Sequence, residues 1–193
     1  MKLYRYLAKP EYVDAYINGG NIPLFSARNY LATERSGIFT PDEVLQQSFI
    51  NAPIEAMNAL VQASGDARVQ IVAKNVIIGN STYKNVRYYR STEDSLILCF
   101  ATKLDKNLAE KLGKTVCVEI LKVDLLISEI SKQLGVQAES GNCTYTETAD
   151  RNHFLKSIQD SWQEEYRIVW RGLKEKAIVS IPAGIGKEVK IQL

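Results

Sequence analysis

Apolar and polar residues alternate at both ends of the chain. Residues 2–7 set Leu3, Arg5 and Leu7 against Lys2, Tyr4 and Tyr6. Residues 165–170 set Tyr166, Ile168 and Trp170 against Glu165, Arg167 and Val169. A period of two predicts strands with two different faces. Residues 95–102 are almost wholly apolar, which predicts a strand buried on both faces near the middle of a sheet. Further strands are expected at 22–26, 68–74, 76–78, 83–89, 115–121 and 143–146. Residues 177–181 and 188–191, joined by the turn at Pro182–Gly186, are expected to form a final hairpin.

Helices are expected between these strands. Pro10 opens one that Gly19-Gly20 ends at residue 18. Thr40-Pro41-Asp42-Glu43 has the form of a capping box, so helices are expected over 41–50 and 53–63. Residues 105–112, 124–134 and 150–162 complete the set, with Gly113 and Gly135 as stops. Residues 27–37 lack periodicity and are expected as a loop. Strands and helices mix without strict alternation, which predicts an α+β fold with a mostly antiparallel sheet. At 193 residues the chain is expected to be one domain, with 41–65 as a helical insertion or lid.

Composition narrows the chemistry. The chain is 46% hydrophobic and 24% charged, as ordinary globular domains are, and its net charge of +2 neither argues for a strong polyanion partner nor excludes a local basic face. No apolar run approaches a membrane span, so no membrane partner is expected. Cys99, Cys117 and Cys143 are odd in number and lack metal-ligand spacing, which suggests reduced thiols and a cytoplasmic setting. One histidine, His153, argues against a zinc site or a histidine triad and is expected on a helix surface. Val86, Tyr88 and Arg90 alternate with Arg87 and Tyr89, a pattern that single-stranded nucleic acid binders use but that half-exposed strands also show.

The candidate chemistry lies where the 150–162 segment hands over to the 165–170 strand. Gln163, Glu164 and Glu165 sit at that junction. A carboxylate there suits a base, a nucleophile or a stabiliser of positive charge, or else a solvated acidic turn. Arg5, on a face with two leucines, needs a partner. Either it forms a structural ion pair, with Glu165 as the candidate, or it clamps an anionic ligand.

Leu3-Tyr4-Arg5-Tyr6, Ile97-Leu98-Cys99-Phe100-Ala101, Gly113-Lys114-Thr115-Val116-Cys117-Val118-Glu119-Ile120 and Trp162-Gln163-Glu164-Glu165-Tyr166-Arg167-Ile168 occur in that order. This order resembles a bacterial and phage family, domain of unknown function 2971. It is also similar to the arginine–serine–glutamate class of ADP-ribosyltransferases. That resemblance implies a split, mostly antiparallel sheet with flanking helices. It implies NAD as cofactor and a macromolecular acceptor, protein or nucleic acid, with the chain a toxin, defence factor or phage effector. By position it makes Glu165 and Gln163 catalytic. Arg5, Tyr6, Thr102 and Tyr30 become cofactor-binding, with the tyrosines stacking on nicotinamide. Phe100-Ala101-Thr102 carries one hydroxyl where the class has Ser-Thr-Ser. A non-catalytic binding module of the same fold and a nucleic-acid-binding protein are the alternatives.

Overall fold

The computed structural model describes residues 1–26, 45–50, 69–73, 86–91, 94–148, 152–173 and 175–191, three of its strands by backbone course alone. It has the α+β character expected, with an eight-stranded sheet that is antiparallel in every pairing. Its centre is β6 (Ser95–Ala101), the most apolar segment of the sequence. β11 (Glu165–Arg171) pairs with the whole of β6, from Glu165 opposite Ala101 to Arg171 opposite Ser95.

On its other side β6 is shared by two strands. β1 (Leu3–Leu7) meets it at Tyr4 opposite Ala101, and β2 (Gly20–Ser26) at Phe25 and Ser26 opposite Ile97 and Leu96. The sheet therefore splits. One branch runs from β1 through β7 (Val116–Ile120) to β13 (Gly186–Val189), and the other from β2 to β12 (Ala177–Ile181). Pro23 falls where β2 has left β6, a place where its missing N–H costs no ladder bond. Beyond β11, β8 (Ala138–Asn142) forms the third edge.

The core fills one face. Leu3, Leu7, Leu24, Leu96, Leu98, Val118, Ile168 and Trp170 are buried there beneath α3 (Val123–Leu134), which lays Leu126 and Ile130 on them. Trp170 is fully buried and its indole N–H donates to Ser131 Oγ at 2.9 Å, which ties the helix to the sheet. α1 (Asp14–Asn18) ends at Gly19, whose φ of 83° and close approach to Ala183 N leave no room for a side chain. α2 (Lys106–Lys111) is capped by the Asp105 carboxylate, which accepts from Leu108 N–H at 3.1 Å.

Four sequence expectations are corrected. Residues 45–50 form β3 (Leu45–Ile50), not helix. With β5 (Val86–Ser91) in the middle and β4 (Val69–Ala73) beyond, it makes a three-stranded antiparallel sheet. Pairing between distant segments has overridden a local capping signal. The rest of the 41–65 insertion, the 76–78 strand and the 27–37 loop lie outside the described residues. Within 150–162, residues 155–157 are β10 (Leu155–Ser157), parallel to β9 (Thr144–Thr146), and a 3-10 turn follows over Ile158–Gln163. His153 is buried rather than on a helix surface. Finally, 177–181 and 188–191 do not pair as a hairpin. β12 joins β2 and β13 joins β7, with the turn between them held by Gly184 N–H donating to the Ile17 carbonyl at 2.8 Å.

Candidate functional site: a neutralised carboxylate at the start of β11

The 3-10 turn ends at Glu164, which adopts a left-handed conformation with φ 41° and ψ 55°. This is strained for a side chain with a Cβ. The Glu164 carbonyl accepts from both Thr102 N–H at 2.9 Å and Thr102 Oγ1 at 3.1 Å. The turn is thus fastened to the end of β6. Glu164 projects into solvent with Lys103 Nζ 3.7 Å away. Glu165, one residue on, turns inward.

Glu165 lies on the face that the main core does not use. Its neighbours there follow from the register: Ala101 opposite it, then Arg167 opposite Cys99, then Val169 opposite Ile97. The described parts of the following segment, 143–148 and 152–163, cover this face. Cys143 N–H donates to the Glu165 carbonyl at 2.8 Å, and Phe154 packs on Ile97 and Val169. Register in the β9–β10 pair sets Lys156 beside Tyr145. Tyr145 Oη accepts from Glu165 N–H at 3.0 Å.

The carboxylate is met by two cations. Glu165 Oε2 accepts from Lys156 Nζ at 2.7 Å and from Arg167 Nη2 at 2.9 Å. All three side chains are nine-tenths or more buried. Lys156 also donates to Gln163 Oε1, and Arg167 Nη1 donates to the His153 carbonyl at 2.9 Å. His153 Nε2 lies 2.9 Å from Ser95 Oγ, continuing the buried network. The Cys143 thiol approaches Glu165 Oε2 at 4.0 Å. Burial alone would raise the Glu165 carboxyl. The Arg167 and Lys156 charges outweigh it and hold the group well below its usual range. Burial, together with the nearby carboxylate, pushes the Cys99 thiol well up, and burial lifts the Tyr145 hydroxyl to about 12.

Of the residues chosen from sequence, the fold brings Gln163, Glu165 and Thr102 together. It does not bring Arg5 to them. Tyr4 is opposite Ala101, and Ala101 is opposite Glu165, so Tyr4 shares the carboxylate's face. Arg5, opposite Val118, has the other parity, with Leu3 and Leu7. The expected ion pair between Arg5 and Glu165 is therefore corrected: the two side chains leave opposite faces of the sheet. Arg5 instead reaches into the mouth of the sheet split, where its Nη1 donates to the Cys99 carbonyl at 2.6 Å.

Tyr6 is buried against Ala101, Leu108 and Cys117. Its hydroxyl donates to the Lys103 carbonyl at 2.9 Å and accepts from Asp105 N–H at 2.8 Å, and burial raises it to about 12. This tyrosine anchors the turn into α2 and offers no open ring for nicotinamide. Tyr30 lies outside the described residues.

Sequence reasoning did not select Lys156, Arg167 or Tyr145 as members of the site. Arg167 carried a usable signal, since it is two residues from Glu165 in a strand and so on the same face. Lys156 carried none, because its segment was read as helix. Among the described residues no cluster of three His, Cys, Asp or Glu side chains could hold a metal. No helix there is long and apolar enough to cross a membrane. No family model, curated protein or solved structure matches this chain.

Proposed function

We propose that the chain is a non-enzymatic binding module, in which the Gln163–Glu165 turn is a structural node rather than a catalytic centre. The observation that carries this reading is the double pairing of Glu165. A carboxylate accelerates nicotinamide release by stabilising positive charge that grows on ribose in the transition state. Glu165 already faces two full positive charges at 2.7 and 2.9 Å, and burial leaves little room for a third partner. Its charge is committed before any substrate arrives. The Gln163 amide oxygen, buried and bonded to Lys156, is committed to the same network, while its Nε2 has no partner. The single hydroxyl in Phe100-Ala101-Thr102 agrees, since both polar groups of Thr102 fasten the turn.

One observation favours the transferase reading. Thr102, Gln163 and Glu165 do converge where β6 ends and β11 begins, as the resemblance implies. The two readings separate in one experiment. Purified full-length protein is incubated with labelled NAD, with and without cell lysate, and its melting curve is recorded with millimolar NAD. The binding-module reading expects no NAD cleavage and no thermal shift. NAD-dependent labelling or hydrolysis that Glu165→Gln abolishes in a still-folded protein would overturn it.

A further inference from the structure

One polar atom of the buried cluster is left over. Gln163 Nε2 has no hydrogen-bond partner, although Gln163 is only 7% exposed. Chemistry fixes its orientation. An ammonium group donates and never accepts, so the amide atom that Lys156 Nζ meets is the oxygen, and the amino group points elsewhere. Lys156 stands on β10 and is 1% exposed, and Gln163 closes the 3-10 turn that follows. The same Nζ donates to Glu165 Oε2 at 2.7 Å.

An amine, a carboxamide and a carboxylate are thus held together away from water. A salt bridge leaves part of this arrangement unused. Lys156 Nζ, bonded to the amide oxygen, lies beside the amide carbon, and groups fixed in such contact react as if at very high concentration. Glu165 Oε2 is within proton-transfer reach of the amine. The Gln163 amino group, which no hydrogen bond holds, is a leaving group. Water, the competing nucleophile, is kept out by the same burial.

We infer that Lys156 and Gln163 join in an isopeptide bond that the folded chain forms on itself. Lys156 Nζ passes a proton to Glu165 Oε2, and the neutral amine attacks Gln163 Cδ. The Nζ–Cδ bond forms and the Cδ–Nε2 bond breaks. Nζ gives up two protons in all, one of them through Glu165, and both end on Nε2. Nε2 therefore leaves as ammonium, and Glu165 is a carboxylate again. No oxidant or cofactor enters the balance. Arg167, 2.9 Å from Oε2, keeps the carboxylate ionised and slows the first proton transfer, but the reaction runs once per chain. The product removes a charged lysine from the interior, where even a paired ammonium is costly, and leaves Glu165 with Arg167. It also ties β10 to a turn whose next residue, Glu164, holds a strained φ of 41°.

The inference rests on the structural-node reading of the turn, but its readout is a mass rather than any response to NAD. Intact mass spectrometry of the purified full-length chain tests it. The wild type should weigh less than its sequence by one ammonia, in a fraction that rises while the folded protein is incubated. Trypsin should then leave residues 152–167 as one peptide, uncut after Lys156. Lys156→Met, Gln163→Leu and a folded Glu165→Gln should keep their full sequence masses. If Glu165→Gln does not fold, Glu165→Asp serves in its place and should form the bond in a smaller fraction. A wild type still at full sequence mass after incubation would overturn the inference. So would loss of water instead of ammonia, which joins Lys156 to Glu165, or undiminished ammonia loss in a folded Glu165 variant. The structural-node reading fails separately, by NAD cleavage that depends on Glu165.

Discussion

The start of β11 and the outer edge of β12 are opposite cases of one rule. At β11 a charged group is buried and over-supplied with partners: Glu165 has Lys156, Arg167 and its own N–H bond to Tyr145. At β12 an uncharged backbone is exposed and under-supplied, with Ser180 satisfied by a borrowed side chain and Ile178 left open. Burial explains the difference. Away from water an unmatched charge is costly, so the chain itself supplies the partners of the Glu165 carboxylate, though Gln163 Nε2 beside it has none. At the edge water satisfies what the chain leaves open. Conspicuous chemistry in a sequence is thus a poor guide to function when the fold buries and neutralises it.

The sharpest way to break this contrast is Glu165→Gln. If the carboxylate is a structural node, the variant takes the Glu165 charge away from the buried Lys156 and Arg167. Loss of one member of a buried ion pair costs about 3–5 kcal/mol. Urea unfolding should show a loss of that order, with the midpoint lowered and the slope unchanged. A stability within about 0.5 kcal/mol of wild type would mean that water reaches the cluster, and the neutralisation argument would fail.

Acid provides a gentler version of the same test. The folded Glu165 carboxyl lies below its ordinary value of 4.5. Its stabilisation is therefore fully present above that value and is lost as pH falls through the lower folded one. Glu119, Glu139 and Asp105 are also lowered, but each pairs with a water-exposed cation, Lys2 and Lys187, Arg171 and Lys103 in turn, and so contributes little. Unfolding free energy measured from about pH 7 down to about pH 3 should decline more steeply in the wild type than in Glu165→Gln. Parallel curves would assign the acid sensitivity to the surface instead.

How much of this was legible depends on range. Strands with their own alternation or apolar run (β1, β6, β7, β11) and helices with local stops (α2 and α3) were readable, because their signals lie within the element. Residues 45–50 and 155–157 were not, since their partners lie at 86–91 and 144–146 and short-range pattern is silent about both. The Pro182–Gly186 turn invited a hairpin, yet the split sheet sends its two flanks to different branches. The site failed by a single residue of register. Alternation placed Arg5 with Leu3 and Leu7, and Glu165 with Arg167 and Val169. Only the pairing of Tyr4 with Ala101 decides that these sets face opposite ways.

The smallest effect is expected at the edge, where it is also the most discriminating. Gln133→Ala removes two hydrogen bonds to Ser180, and Glu165→Gln takes the charge from the oxygen that accepts two at the cluster. If hydrogen bonds counted alike everywhere, the two variants would be similarly damaged. Water can take the place of the Gln133 amide, so the loss should be no more than about 1 kcal/mol. Urea unfolding of the two variants side by side measures this. A loss as large as that of Glu165→Gln would show that the edge is shielded from water, and the contrast between the two regions would then rest on charge alone.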